Sequence, residues 1–416
     1  MRLLHIADLH IGKRVCEFSM LEDQRHVLSQ VIDMLGAHEA DALLVAGDLY
    51  DKATPSAEAV ALVDWFLSEA AETGVPAIVI PGNHDSAERV AYAGAMLARQ
   101  GIHVAPVYDG TIRPVELADD DGPVHIWPIP FVRPATVRHF FPDEDISDYT
   151  DALRVVVGSC ALDRSVRNVA VAHQFVTAGA MSPELSDSEV SVGGLDNVDA
   201  GVFSGFDYVA LGHIHRPQRI GSDTVRYAGS ILKYSFSEAL GSKSAVLVEL
   251  GAPGADVEGA PGADAAEAGE SDAAGADMAR AGEGHASGAR VSCELLTLEP
   301  LHDLRRIRGP LEALVAPDVV AAADAEDYLQ VVLTDENPEV DAMARLRASY
   351  PNVMGIEYDN ARTRAAGLAG TEAAPDADAS SPLELFEEFF ERQNGTALSD
   401  AQRDMALQGF ERIGVM

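Results

Sequence analysis

Asp8-x-His10, Gly47-Asp48-x-x-Asp51, Gly82-Asn83-His84-Asp85, His173 and Gly212-His213-Ile214-His215 bring histidines, carboxylates and an amide to the ends of apolar, β-rich runs. In an extended backbone residues i and i+2 face the same side, so Asp8 with His10, and His213 with His215, each present two ligands to one point. Open α/β sheets bind ligands at the carboxyl ends of their strands, where loops distant in sequence converge. A shell of imidazole, carboxylate and amide without thiolate suits hard or borderline divalent metals. Singly, each piece is ordinary: a histidine after a strand is usually structural, Gly-Asp is a common turn, and Asn-His-Asp can cap a helix. Five such segments in one chain, each after a strand, point to a shared metal site. The remaining histidines, among them His5, His103 and His302, match no motif and read as structural or surface residues.

The elements that must position these groups are legible as short apolar runs at 2–7, 41–47, 77–82, 124–130, 168–174, 207–213 and 245–250. Between them, 54–74 opens on Thr-Pro-Ser, closes on Gly and carries apolar residues at Val60, Val63, Leu67 and Ala71, which predicts a helix. A second helical segment is expected at 86–100. Strands alternating with helices over 1–250 give a layered α/β domain. From 251 to 290 Gly, Ala and acidic residues dominate, and Val257 and Met278 are the only larger apolar side chains. Such a stretch cannot bury enough surface to offset its ordering entropy, and it is expected to be a disordered insertion. Order returns at 291–360, a small α/β module with strands at 327–333 and 353–358 and a helix at 339–350. A linker at 361–381 leads to a helical tail, 382–416. There Leu383, Phe386, Phe389 and Phe390 form an apolar stripe that two short helices cannot bury in a core of their own.

Thirty Lys and Arg against 67 Asp and Glu give a formal charge of −37. That balance argues against a protein that coats nucleic acid by counterion release alone, although divalent metals and a partner can bring positive charge to one spot. Cys16, Cys160 and Cys293 are too few and too far apart for a disulfide framework or a zinc site, which places the chain in a reducing compartment. The opening MRLLHIADLH has an aspartate where a signal peptide needs its apolar run, and no stretch of 18 apolar residues occurs. A soluble, cytoplasmic protein without a membrane role is expected.

Together the five motifs resemble the signature of the calcineurin-like metallophosphoesterases. The forms LLHIADLHIGK, AGDLYD, VIPGNHDS and GSILKYSFSE (229–238) are similar to those of the family's DNA nucleases. The resemblance covers 1–250, with a family-like cap at 291–360 and tail at 382–412, while the 251–290 insertion departs from the family pattern away from every motif. It implies a layered β-sandwich flanked by helices, with a small α/β capping domain and a C-terminal helical tail. It also implies that Asp8, His10 and His215 hold one metal, that Asn83, His173 and His213 hold the other, and that Asp48 bridges them. A two-cation site of this kind, with the ions about 3.5–4 Å apart, activates water for attack on phosphorus. His84 is outside the ligand set and acts on the scissile phosphate, as leaving-group acid or transition-state stabiliser. Manganese is the preferred cofactor, ahead of zinc and magnesium. Asp51 and Asp85 read either as groups that orient ligating side chains or loop amides from behind, or as plain turn-capping aspartates. Lys13, Arg14 and Lys233 are candidate DNA phosphate contacts.

By the same resemblance the segments 54–74 and 86–100 form a homodimer through a four-helix bundle, and the tail binds an ATPase subunit in a heterotetramer. The implied activity is 3′ to 5′ exonuclease on duplex DNA and endonuclease on hairpins or single strands, in repair, recombination and replication. A nucleotidase or cyclic phosphodiesterase would have the same site, and a metal-free scaffold on this fold is the alternative outside enzymology.

Overall fold

The computed structural model describes residues 1–179, 181–187, 189, 196–254, 288–337, 339–361, 363–364 and short stretches between 383 and 406. Most of the 251–290 insertion, the 361–381 linker and much of the 382–416 tail lie outside the described residues.

Two six-stranded sheets stack face to face. In the first, the strands run in the order Val291–Leu298, Lys243–Leu250, Arg2–Ile6, Ala42–Ala46, Ala77–Ile80 and Ile102–Val104. The last four are parallel to one another, and Lys243–Leu250 joins Arg2–Ile6 antiparallel. The second sheet runs Gln218–Ile220, Ser222–Tyr227, Tyr208–Gly212, Arg167–His173, Gly122–Ile129 and Val115–Asp119. Strand alternation sends Leu3, Leu44, Ile78, Ile126, Val169, Val171 and Ala210 into the core between the sheets. The opposite face of the first sheet, including Leu4, Ile6, Leu43 and Val45, packs under the helices Leu21–Ala37 and Ala57–Glu72. Burial on both faces explains why these strands read as continuous apolar runs rather than as alternating ones. Each fully buried Val or Leu contributes roughly 1.5–3 kcal/mol. The β-sandwich flanked by helices expected from the sequence is therefore the fold.

Two expectations need correction. The segment at 291–298, assigned from the sequence to the cap, is the edge strand of the first sheet. It pairs with Lys243–Leu250 over its whole length, from Lys243 opposite Leu298 to Leu250 opposite Val291. Its pairing partner lies across the low-complexity insertion, which hid the hairpin from a local reading. The capping unit proper is a parallel three-stranded sheet, Leu304–Gly309, Tyr328–Leu333 and Val353–Tyr358, with its own core around Leu311, Leu329, Val331 and Leu346. The 86–100 segment is not one helix but the turns Ala87–Val90, Gly94–Leu97 and Ala98–Gln100, because Ala93 takes a left-handed conformation with φ 59°. The 17-residue helix Leu21–Ala37 was not singled out in the sequence, and it has no side-chain N-cap to announce it. The helix expected at 54–74 forms at Ala57–Glu72, where Ser56 caps it by accepting from the Ala59 N–H at 3.2 Å. Among the described residues no helix is long and apolar enough to cross a membrane.

Candidate metal centre

The strand ends of both sheets meet at one seam. Asp8, His10, Asp48, Asn83 and His84 follow Arg2–Ile6, Ala42–Ala46 and Ala77–Ile80 of the first sheet. His173 ends Arg167–His173, and His213 and His215 follow Tyr208–Gly212 of the second. Close approach needs small residues here: a Cβ on Gly47 would strike the His173 ring, and one on Gly212 would strike the Ala46 carbonyl. Hydrogen bonds then tie sheet to sheet. The His173 Nδ1–H donates to the Ala46 carbonyl at 2.8 Å, and the His213 backbone N–H donates to Asp8 Oδ1 at 2.9 Å. Asp8, His10, Asp48 and His213 all have positive φ, at 53°, 44°, 50° and 101°. Such backbone strain in non-glycine residues collects at functional sites.

The structure brings together all seven residues that the family resemblance names as ligands. His10 Nε2 and His215 Nε2 face each other at 3.0 Å, and both fall with Asp8 in one group whose ligand atoms lie within 4.8 Å. Asn83 Oδ1 is 2.9 Å from both His173 Nε2 and His213 Nδ1. Asp48 lies between the two groups, its Oδ2 3.3 Å from His173 Nε2 and 3.7 Å from His10 Nε2. The donor set fits divalent cations. Asp8 Oδ2 is fully buried without a hydrogen-bond partner, and an orphaned anionic oxygen beside converging imidazole nitrogens is costly unless a cation completes it.

The electrostatics agree with a cluster built around cations. Burial would raise the Asp48 carboxyl, but His173 and His10 hold it well below the usual carboxylate range. Burial would lower His173, yet Asp48 and Asp8 raise it to about 9. Burial pushes Asp8 up to about 6 and His213 down to about 3. His10 is also driven well below its ordinary value by burial. His10 and His213 are thereby kept as neutral imidazoles with the lone pairs that a metal needs, whereas His173 holds a proton that a bound cation would displace.

His84 is half-buried beside this cluster. Its backbone N–H donates to Asp48 Oδ1 at 2.9 Å, its Nδ1 is 3.0 Å from the Asp51 carbonyl, and it shares a 4.8 Å group with His10 and Asp48. Asp85 accepts from the backbone N–H groups of Leu49, Tyr50 and Gly82 at 2.9–3.0 Å, pinning the Asp48 loop to the Asn83 loop. Asp51 lies 3.8 Å from His10 Nδ1 and pairs with Lys13 at 2.9 Å.

The basic residues are less available than their sequence positions suggest. Lys13 is committed to Asp51, Lys233 pairs with Asp303 at 2.7 Å and donates to the Ala239 carbonyl, and Arg14, which is exposed, bonds to Glu17. In the tail, Leu383 is buried, the Phe386 and Phe390 rings lie 6.4 Å apart, and Arg403 pairs with Glu387. Phe389 lies outside the described residues.

The motif reading missed the support behind His215. Lys243, nearly fully buried, donates to the His215 carbonyl, to Ser230 Oγ and to Glu238, whose Oε1 is 3.9 Å from His215 Nδ1. Glu238 closes the quoted GSILKYSFSE run, so a signal existed there, whereas nothing in the spacing pointed to Lys243.

Two stacked sheets with a His, Asp and Asn cluster at their seam are the architecture of one family, and residues 1–217 match it: the chain belongs to the calcineurin-like phosphoesterases, hydrolases of phosphate esters. Residues 300–394 match a second family, described as the type 5 capsule protein repressor C-terminal domain. The chain is similar to the protein named as the D subunit of nuclease SbcCD in Staphylococcus epidermidis, with 27% identity over 359 residues, 86% of this chain and 85% of that one. The protein of the same name from Staphylococcus saprophyticus is 28% identical over 359 residues, 86% of this chain and 84% of its own. The crystal structure of TT1561 from Thermus thermophilus aligns at 10% identity and a TM-score of 0.34, over 59% of this chain and 92% of that one.

Proposed function

We propose that the chain is the nuclease subunit of a DNA-processing complex, a metal-dependent hydrolase acting with an SbcC-type ATPase. It would cut duplex DNA 3′ to 5′ from ends and open hairpins or single strands. The observation that carries this reading is the convergence of Asp8, His10 and His215 on one point, with Asp8 Oδ2 orphaned and buried there. The names of the two staphylococcal relatives supply the nuclease and its complex. Asp8, His10 and His215 hold one cation and Asn83, His173 and His213 the other, with Asp48 between them. Manganese is our assignment, since an imidazole-rich shell disfavours magnesium.

When bound, such cations neutralise phosphoryl oxygens and make water nucleophilic near neutral pH. The chain's own residues do the rest. Asp48 stays ionised through its histidine neighbours, and its Oδ2 faces both halves of the cluster, 3.3 Å from His173 Nε2 and 3.7 Å from His10 Nε2. His84, oriented by its Nδ1 on the Asp51 carbonyl, keeps Nε2 for the phosphate or the leaving oxygen. Asp85 holds the two ligand loops in register. The decisive experiment gives the purified protein manganese and offers it hairpin DNA, duplex DNA and a panel of nucleotides. Cleavage of the DNAs is expected, and turnover of the nucleotides alone would favour the nucleotidase reading.

The insertion enters and leaves the hairpin of Lys243–Leu250 and Val291–Leu298, where the Gly251 N–H donates to the Arg290 carbonyl at 2.8 Å. Replacing 255–287 by a short Gly/Ser connection is expected to leave hydrolysis within about threefold, because closure cost grows slowly with loop length. A larger loss would give the insertion a role of its own.

The tail is assigned to the ATPase, as an amphipathic segment for a partner's groove. Truncation at Ser381 is expected to leave manganese-dependent cleavage of small substrates intact while abolishing co-purification with the ATPase. Unchanged affinity after truncation would move docking elsewhere. We assign the homodimer contact to the face of Ala57–Glu72 and Gly94–Leu97, where Val60, Tyr92 and Met96 are exposed. The assigned compartment is the cytoplasm.

A further inference from the structure

The first turn of Leu21–Ala37 carries two consecutive polar residues that are completely buried, Asp23 and Gln24. Neither belongs to a motif, and burying an amide and a carboxylate is unfavourable unless each is fully engaged. Both are.

The Gln24 carboxamide wraps the loop that carries Asp8 and His10. Its Oε1 accepts from the Gly12 N–H at 3.0 Å, and its Nε2 donates to the His10 carbonyl at 2.8 Å and to the Tyr234 hydroxyl at 3.0 Å. Tyr234 completes the circuit by donating to the Leu9 carbonyl at 2.5 Å. The same loop is the strained one: Asp8 and His10 have positive φ, and Gly12 takes the same hand at no steric cost. L-residues hold that conformation only where surrounding groups over-determine it.

Asp23 faces the other way. Its Oδ1 accepts from the His302 backbone N–H at 3.0 Å, and its Oδ2 accepts from the Tyr328 hydroxyl at 2.8 Å. His302 lies in the segment leading to the capping unit, and Tyr328 opens that unit's central strand.

We propose that Gln24 is the positioning residue of the Asp8–Gly12 loop, and that Asp23 beside it makes the geometry of that loop depend on the seating of the capping unit. The two side chains share one helical turn embedded in one core, so a shift of the cap that pulls on Asp23 is carried to Gln24 and hence to His10. This rests on the metal-centre reading above, and the test separates the two.

Manganese affinity is measured by calorimetry and amide exchange at Gly12 is followed in the metal-free protein, for the wild type, Gln24→Met, Gln24→Glu, Tyr328→Phe and the Gln24→Met/Tyr328→Phe pair. Gln24→Met is expected to bind manganese at least about tenfold more weakly, the range for groups that orient ligands from behind, and to exchange Gly12 faster. Gln24→Glu, which keeps the acceptor for Gly12 but loses the donor to His10, is expected to restore Gly12 protection but not affinity. Tyr328→Phe removes one hydroxyl that bonds to Asp23 and is expected to weaken manganese about threefold, with no further loss in the Gln24→Met background. Wild-type affinity together with wild-type Gly12 exchange in Gln24→Met overturns the positioning role. No effect of Tyr328→Phe, or an effect that adds in full to Gln24→Met, overturns the link to the cap. If the wild type binds no manganese, the metal reading fails, and Gly12 exchange in all four variants still decides the inference. If Gln24→Met does not fold, Gln24→Glu and Tyr328→Phe decide it.

Discussion

Asp48→Asn is expected to strip most of the metal from the protein and to reduce phosphodiester hydrolysis by on the order of 10³-fold or more, the scale of losing a principal electrostatic group. The substitution keeps the shape of the side chain and the acceptor for the His84 N–H, so the loop has no steric reason to move. What disappears is the one negative charge that lies within 3.3 Å of His173 and 3.7 Å of His10. Two cations held a few ångströms apart repel each other, and a neutral amide does not offset that repulsion. Elemental analysis after gel filtration is the measurement. Two metals per chain at full occupancy in the variant would remove Asp48 from the bridging position.

His84→Gln is expected to act differently, retaining both metals while losing on the order of 10² to 10⁴ in rate, the range for a general acid. Glutamine reproduces the reach of the imidazole and its donor to the Asp51 carbonyl but cannot deliver a proton. The geometry makes the comparison sharp, because one ring nitrogen of His84 is close enough to His10 and Asp48 to join them around an ion. If metal content falls together with the rate, His84 belongs to the ligand shell and proton delivery must come from elsewhere.

Much of the candidate site could be read from the sequence because its proposed ligands follow strand ends. The two-residue period of a strand does not extend to them: Asp8, His10 and His213 have positive φ, and His213 and His215 are proposed to serve different cations. A strand does have an apolar signature, so the runs before Asp8-x-His10 and His213-x-His215 announce where these residues fall. The sandwich was legible for the same reason. What stayed hidden depends on contacts across long sequence separations. Val291–Leu298 finds its partner only across the insertion, and the 86–100 helix breaks at Ala93 through a backbone conformation that alanine does not advertise. Gln24, Asp23 and Lys243 carry no local pattern at all, since a buried amide, carboxylate or ammonium is defined by what folds around it. The basic residues show the same dependence on the fold: Lys13 and Lys233 lie near motifs in sequence, and only the structure shows them paired with Asp51 and Asp303.

The seam between the sheets has a consequence for how the molecule resists damage. The residues proposed as ligands come from both layers, and the His213 to Asp8 contact alone joins positions 205 residues apart. On the proposed ligand assignment, a bound cation is a clasp that only the closed sandwich can fasten. Free metal at a hundred times its dissociation constant would then add about 2.7 kcal/mol against separation of the layers. Susceptibility to proteases would rise as metal is withdrawn, so a metal-starved cell would lose the protein as well as its chemistry.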